Sequence, residues 1–391
     1  MRKIGILTIH HHENDGSVMQ AWSLQQLLTE TLPEWEVSIL DIYPTGHAID
    51  TKQIVKQLLT GKIGLRQALG SIRRLRSYER FYRARYRHAS RALVTNSTTD
   101  VADYLVKNGF DAVVAGSDTL WELGNRWCGL PAPPNYYFLP GIGRPIKKIA
   151  YAISADPLPP EIPRDVDVSG VKEAIEDFDY ISLRDETTRQ FVTALGVDPE
   201  RLNFMPDPTI AFDFSAHIPD TKLPTPKEQT VCLAITDPER RIAVAEEVRK
   251  AGFAVANMVG SLEQANWDKA GALEVEQRLG VYKNIALLIT DRFHSSIFTL
   301  KLNGCRTPIL FLEDGKKWPL ANSKGRDLFR RLGLEAFVIR PDETAVAQDL
   351  IRQTLGGWNA QVSAVAIERL RALADLERKE LGRIRELLDK S

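Results

Sequence analysis

The chain has 391 residues, of which 43% are hydrophobic and 26% charged, a composition that supports a folded core and favours two domains over one. Lys plus Arg and Asp plus Glu each number 51, so the net charge gives no argument for general nucleic-acid or membrane affinity. Three widely spaced cysteines fit neither a disulfide framework nor a metal site, and no apolar run reaches the ~20 residues of a membrane span, so a cytoplasmic protein in a reducing compartment is expected.

The N-terminal pattern predicts the first βαβ unit of an α/β sheet. Ile4–Ile9 is an apolar run of strand length, and a polar loop with a glycine, His10–Gly16, follows it. Helical periodicity then extends to Leu32, and Glu36–Ile42 is a second strand. The loop lacks the full glycine fingerprint of dinucleotide binding, so that ligand is not indicated.

Residues 62–91 form a strongly basic segment with interleaved aromatic residues. The segment contains nine arginines and a single acidic residue, Glu79, and its aromatic residues recur at helical spacing. One interpretation is a helix that packs its aromatic face on the core and exposes its arginines to solvent. The other is a docking face for an anionic glycan, a lipid-linked phosphate or the inner face of a membrane. No nucleic-acid-binding module accompanies the segment, so nucleic acid is not expected as a partner.

The remaining pattern alternates strands and helices. Strands are predicted at Asp111–Ala115, Lys148–Ser154, Tyr180–Arg184, Thr230–Ile235, Phe253–Met258, Ile285–Ile289 and Pro308–Leu312. Helices are predicted at Val171–Phe178, Asp185–Leu195, Arg240–Ala251, Leu273–Leu279, Lys324–Leu332, Ala345–Gly356 and Val362–Leu388, with another beginning after His294. A Pro-rich, aperiodic stretch over 215–229 predicts a linker between an N-terminal α/β domain, 1–214, and a C-terminal one, 230–391.

Polar side chains directly after strands are the candidate site residues, because ligands of open α/β sheets bind beyond the carboxyl ends of the strands. Arg184 follows one apolar strand, and Arg292 and His294 follow another at a helix start that favours anions. Two arginines can fork onto phosphate and carboxylate, whereas an interdomain salt bridge is the alternative for the pair. A helix-capping or core role is the alternative for His294.

Other candidates have weaker signals. Asp118, Glu122 and Asp207 suit a base, an orienting group or an ordinary cap. The consecutive histidines 10–12 cannot all face one ion on an extended chain, so no metal site is predicted.

Six motifs, in this order, resemble the polysaccharide pyruvyl transferase family over most of the chain. They are GILTIHHHENDGSVMQAWSLQQLL, FDAVVAGSDTLW, KIAYAIS, ISLRDE, PDPTIAF and ITDRFHSSIF. The resemblance implies two Rossmann-like α/β domains facing a cleft, similar to GT-B glycosyltransferases. It also implies transfer of the enolpyruvyl carbons of phosphoenolpyruvate onto two hydroxyls of a glycan or lipid-linked sugar, which gives a cyclic ketal and phosphate without a cofactor or metal.

The resemblance also implies roles for individual residues. Arg184, Arg292 and Ser295 would bind phosphoenolpyruvate, and His294 would protonate its methylene carbon as the general acid. The acceptor side or cleft would include His12, Asn14, Asp15, Ser117, Asp118, Trp121 and Asp207.

The first-domain motifs depart from the family pattern, which leaves the acceptor open. Thr119 and Glu122 replace a common Gln and Asn, and Ala155-Asp156 replaces an aromatic-glycine pair. A nucleotide-sugar glycosyltransferase and a non-catalytic glycan-binding relative are the alternative functions.

Overall fold

The computed structural model describes residues 1–10, 13–46, 51–89, 91–124, 129–143, 145–159, 161–313, 323–340 and 345–390. Its strands are β1 Arg2–Leu7, β2 Trp35–Ile39, β3 Ile42–Tyr43, β4 Leu93–Val94, β5 Ala112–Asp118, β6 Lys147–Ile153, β7 Tyr180–Leu183, β8 Leu202–Phe204, β9 Thr230–Ala234, β10 Ala254–Asn257, β11 Leu287–Thr290, β12 Ile309–Leu312 and β13 Val338–Ile339. Its α-helices are α1 Asp15–Thr31, α2 Thr51–Leu59, α3 Leu65–Arg85, α4 Thr98–Lys107, α5 Val168–Glu176, α6 Glu186–Ala194, α7 Pro208–Ala211, α8 Pro238–Lys250, α9 Val275–Gly280, α10 Phe293–Leu302, α11 Lys324–Leu332, α12 Gln348–Gly357 and α13 Ala360–Asp389.

Two parallel sheets organise the chain, which confirms the predicted α/β class. The first sheet has the strand order β2-β1-β5-β6-β7-β8 and the second β10-β9-β11-β12-β13. Strands such as β5 and β11 are buried along their whole length, because parallel sheets are covered on both faces and therefore need continuous apolar runs. In each sheet the order reverses next to the first strand, at β1/β5 and at β9/β11, and these switch points are where such folds bind ligands.

The chain forms two compact units that are not continuous in sequence. One unit comprises Met1–Ala48, Arg85–Phe212 and Leu373–Ser391, and the other comprises Ile49–Ala84 and Asp213–Ala372. The division differs from the continuous split into 1–214 and 230–391 predicted from the sequence. Helices α2 and most of α3 belong to the second unit, and the end of α13 belongs to the first.

Buried hydrogen bonds hold the end of α13 on the first unit and α3 on the second. In the first unit, the Tyr151 hydroxyl donates to Glu377 Oε1 over 2.5 Å, and Tyr180 donates to Glu380. In the second unit, the buried Arg278 donates to Ser77 Oγ over 3.1 Å. Local periodicity carries no information on such long-range contacts, so the sequence alone did not reveal them.

The stretch predicted as a linker, 215–229, packs on the second unit. Thr221 Oγ1 donates to the carbonyl of Gln277 over 2.7 Å, and Lys227 Nζ donates to Asn303 Oδ1 over 3.2 Å. Two short 3-10 turns, Ser215–His217 and Lys227–Gln229, give the segment local structure without helical or strand periodicity.

Candidate active site

The second-unit switch point is held together by hydrogen bonds between the ends of β9 and β11. Asp291 accepts hydrogen bonds from the backbone nitrogen of Thr236 at 2.9 Å and from its hydroxyl at 3.1 Å. The Thr290 hydroxyl donates to the carbonyl of Ala234 over 2.8 Å and accepts from the backbone nitrogen of Arg292 over 2.9 Å. The loop before α10 is therefore fixed at the place where the topology predicts a ligand.

Arg292 and His294 lie on the first turn of α10. Arg292 occupies the N-cap position with an extended backbone, φ −108° and ψ 121°, and its side chain forms no capping hydrogen bond to the helix in the described structure. Phe293, the first helical residue, is buried, whereas Arg292 and His294 on either side of it are partly exposed. The buried ring anchors the turn, so that a cationic and an imidazole side chain are presented at a helix terminus that favours anions.

Two aromatic rings pack against the His294 imidazole. Its centroid lies 5.2 Å from that of Phe293, edge to face, and 6.1 Å from that of Phe298, in a stacked arrangement. These contacts restrict the imidazole to a limited set of orientations beside Arg292.

Ser295, predicted to bind the donor, has a structural partner. Its side chain is buried, and its hydroxyl accepts a hydrogen bond from the Tyr282 hydroxyl over 2.9 Å. The Tyr282 ring lies under α10, with its centroid 6.2 Å from that of Phe298. The structure thus gives Ser295 a part in holding the helix start, and its predicted role in donor binding stays a prediction.

At the first-unit switch point, a polar network joins β1, β5 and α1. The carbonyl of Ser117 accepts hydrogen bonds from the Thr8 hydroxyl, over 2.9 Å, and from the side-chain amide of Gln20. Gly116 precedes Ser117 at φ +142°, and a Cβ atom there would collide with the carbonyl oxygen of Tyr151, so only glycine fits. Gln20 is not among the site residues predicted from the sequence, and the structure buries it completely. A glutamine among the apolar residues of a helix is the signal that could indicate it, because a buried amide needs hydrogen-bond partners.

Arg184 lies in this network and forms a buried ion pair. Its Nη1 donates to Asp207 Oδ2 over 2.6 Å and to Gln20 Oε1 over 3.1 Å, and the Arg184 and Asp207 side chains are only 2% and 0% exposed. Burial alone disfavours the charged guanidinium, but the carboxylates of Asp207, Asp118 and Asp185 outweigh it and raise the pKa of Arg184 above its ordinary value.

The ion pair bears on the predicted roles of both residues. From the sequence, Arg184 is expected to bind the donor or to form an interdomain salt bridge. The structure pairs it with Asp207, a residue of the same unit. Asp207, predicted for the acceptor side, also caps α7 through the backbone nitrogen of Thr209.

The other predicted acceptor-side residues separate into three groups. Asp118 Oδ2 accepts from the Ser17 hydroxyl over 3.0 Å, so Ser117 and Asp118 are both part of the buried network. Trp121 is fully buried in the first-unit core, where its ring stacks on Phe138 at a centroid distance of 5.6 Å, which is a packing position. Asn14 caps α1, Asp15 begins it, and both are partly exposed, whereas His12 lies outside the described residues.

Comparison with known proteins places the chain in a family. A family model described as polysaccharide pyruvyl transferase matches residues 14–304. The chain belongs to the polysaccharide pyruvyl transferase family. Members are transferases of polysaccharide biosynthesis, and the match confirms the resemblance drawn from the six motifs. A sequence search among curated proteins gives no match.

Solved structures show the same fold at low sequence identity. The S. aureus MnaA structure with UDP has a TM-score of 0.55 and 11% identity, over 100% of this chain and 97% of that one. UDP-N-acetylglucosamine 2-epimerase from Rickettsia bellii has a TM-score of 0.53 and 11% identity, over 100% and 98%. These similarities confirm the predicted GT-B-like fold of the family member and carry no argument on its ligands.

The described ranges contain neither a membrane-spanning helix nor a metal-binding cluster of side chains. No helix there is long and apolar enough to cross a bilayer. Among those same residues, no group of three or more His, Cys, Asp and Glu side chains is placed to hold a metal ion. That the protein uses no metal stays a prediction.

Proposed function

We propose that this family member transfers the pyruvyl carbons of phosphoenolpyruvate onto two hydroxyls of a sugar, as a cyclic ketal, and releases phosphate. The single observation that carries the proposal is the first turn of α10, where Arg292 and His294 flank a buried Phe293 at the β9/β11 switch point. An anionic co-substrate needs a cationic fork and a helix N-terminus, and its methylene carbon needs a proton donor nearby.

The proposed reaction proceeds in two additions with a proton transfer first. A proton moves from the acid to the methylene carbon, which becomes a methyl group and leaves an oxocarbenium-like centre at the adjacent carbon. One sugar hydroxyl attacks that carbon and loses its proton. The bond from the carbon to the phosphate oxygen then breaks, and the phosphate takes up the proton of the first hydroxyl and leaves as hydrogen phosphate. The second hydroxyl adds to the carbon, and its proton restores the acid.

His294 is the proposed proton donor, because an imidazole is the side chain best suited to transfer protons near neutral pH. Arg292 is proposed to bind the phosphate, whose negative charge grows as the carbon–oxygen bond breaks, with the N-terminus of α10 supporting it. The donor role predicted for Arg184 rests on the family resemblance alone and stays a prediction, because its buried guanidinium is held by Asp207 and Gln20. Phosphoenolpyruvate acts as a co-substrate, and the proposal includes no cofactor.

The acceptor is proposed to be a glycan or lipid-linked saccharide with two hydroxyls close enough to close a small ring. The test incubates the purified protein with phosphoenolpyruvate and nitrophenyl glycosides of galactose, glucose, mannose and N-acetylmannosamine. We expect phosphate release that depends on the glycoside, and a mass gain of one pyruvyl ketal on the product.

His294→Asn provides the mechanistic control in the same assay. Loss of the acid is expected to lower kcat by about 10²–10⁴, because general acid catalysis contributes a factor of this size. Full activity of this variant would contradict the role of His294. Turnover of nucleotide sugars with none of phosphoenolpyruvate would instead show a glycosyltransferase and refute the proposed reaction.

A further inference from the structure

Helices α2 and α3 follow one another through the short turn 60–64, and this basic hairpin, residues 51–85, belongs to the second unit up to Ala84. The hairpin contains ten Lys and Arg residues and one acidic residue, Glu79, in a chain whose total charge is zero. Positive charge is therefore concentrated in this segment and balanced elsewhere. Such an asymmetry marks a surface that attracts anionic partners.

One exposed face runs along the whole of α3. With 3.6 residues per turn, its exposed positions at spacings of four and three lie on a single stripe. In order they are Leu65, Leu69, Arg73, Arg76, Arg80 and Arg83. The buried Tyr78 and Phe81 lie on the other side of the helix. Within the stripe, Arg80 pairs with the partly exposed Glu274. The orientation of the stripe is thus fixed by packing on the aromatic side.

Exposed aliphatic side chains cluster around the turn between the two helices. Leu59 is 81% exposed, Leu65 63%, Leu69 49% and Val55 40%. Val55 and Leu59 are one turn apart on α2, and Leu65 and Leu69 are one turn apart on α3, so each helix brings a pair to its end at the turn. Four exposed aliphatic residues this close to one turn are an apolar tip that water does not favour.

We propose that the basic hairpin docks on an anionic lipid surface, with the apolar tip in the acyl boundary and the arginine stripe on the lipid phosphates. From Leu65 to Arg83 the stripe is about 27 Å long at 1.5 Å per residue, enough to follow several headgroups. Amphipathic helices bind membranes through this combination of apolar burial and cationic attraction. Such docking is independent of the ketal reaction, and it places a transferase of polysaccharide biosynthesis where lipid-linked saccharides are found.

A lipid surface fits better than a nucleic acid. Arginines alone would suit either polyanion, but a nucleic-acid backbone gives no partner for Leu59 and Leu65, the two most exposed leucines of the hairpin. Guanidinium groups bind lipid phosphates well and leave the aliphatic tip to the acyl boundary.

Vesicle flotation tests the proposal with the full-length protein. Vesicles of phosphatidylcholine alone are compared with mixtures of phosphatidylcholine and phosphatidylglycerol at low and high salt. We expect binding to the anionic vesicles only, weakened by salt, because screening reduces the attraction between charges. Equal binding to neutral vesicles, or no binding to either, would overturn it.

Two double variants separate charge from apolar burial. Arg76→Gln with Arg83→Gln is expected to weaken vesicle binding about 25-fold, at about fivefold per cation. Leu59→Ser with Leu65→Ser is expected to weaken it at least about tenfold. Val106→Ser is the matched control, since Val106 is 68% exposed on α4 of the other unit, and it should bind as the unsubstituted protein does.

The same variants distinguish a lipid surface from a nucleic acid or a second copy of the chain as the partner of the hairpin. All changed side chains are exposed, so circular dichroism and thermal melting should be unchanged and the loss of binding should be specific. Undiminished vesicle binding by the leucine variant would refute the docking mode. Tight binding of a single-stranded oligonucleotide without vesicle binding, or a change in oligomeric state as the only effect of the leucine variant, would replace the membrane with another partner.

Discussion

The buried ion pair between Arg184 and Asp207 allows a double-mutant cycle with a sharp outcome. Arg184→Gln leaves the Asp207 carboxylate buried without its cation, and Asp207→Asn leaves the guanidinium without its carboxylate. Removal of one partner from a buried pair typically costs about 3–5 kcal/mol, so each single variant should lower the free energy of unfolding by that amount. In the double variant, neutral amides replace both charges, and we expect a coupling energy of about 2–3 kcal/mol.

Urea unfolding followed by tryptophan fluorescence measures the cycle, because Trp121 lies in the core of the same unit. The matched control is the Lys172–Glu176 pair on α5, whose side chains are 38% and 39% exposed. Neutralising that exposed pair should change the free energy of unfolding by about 0.5 kcal/mol or less. Additive effects of the Arg184 and Asp207 variants would refute the ion pair as the reason for the position of Arg184.

Three further predictions concern other contacts. Asp291→Ala should destabilise the second unit by about 0.5–1.5 kcal/mol, because the exposed backbone nitrogen of Thr236 exchanges its acceptor for water. It should also lower kcat by displacing the first turn of α10, and unchanged urea unfolding and kinetics would contradict this. Truncation after Ala372 removes Glu377 and buried residues of α13, so amide hydrogen exchange should become faster in β6 and β7 of the first unit. An increase confined to the second unit would contradict the assignment of the end of α13 to the first unit. Burial raises the pKa of Cys305 to about 12, so alkylation of this thiol in the folded protein should stay slow through pH 9. The free energy of unfolding should fall above that pH, because the thiol of the unfolded chain ionises first. Rapid labelling of Cys305 in the folded protein, seen by peptide mapping, would refute this.

The sequence predicted the elements whose patterns are local. Apolar runs such as Ile285–Ile289 and the polar residues after them located β11 and the start of α10, because buried parallel strands need continuous apolar residues. The placement of Arg292 and His294 at a helix terminus followed from the same pattern. Short elements with little apolar periodicity, such as β8 and β13, were not predicted.

Long-range contacts account for most of what the sequence did not reveal. Nothing near Glu377 in the chain indicates that it accepts a hydrogen bond from Tyr151, so the end of α13 was assigned to the second domain. Likewise, the pairing of Arg184 with Asp207 depends on two strand ends that are adjacent only in the folded sheet. The stacking of Trp121 on Phe138 is likewise a tertiary contact that the motif does not reveal, and the acceptor-side role predicted for Trp121 stays a prediction.

Titration of phosphoenolpyruvate into the Arg292→Gln variant tests the central claim most directly. A charge-assisted hydrogen bond is typically worth about 1.5–3 kcal/mol, so loss of the guanidinium should weaken binding by about 10- to 100-fold. Arg249→Gln, an exposed change on α8 of the same unit, is the control and should bind as the unsubstituted protein does. Phosphoenolpyruvate binding that is equally tight in the Arg292→Gln variant would contradict the assignment of the first turn of α10 as the donor site.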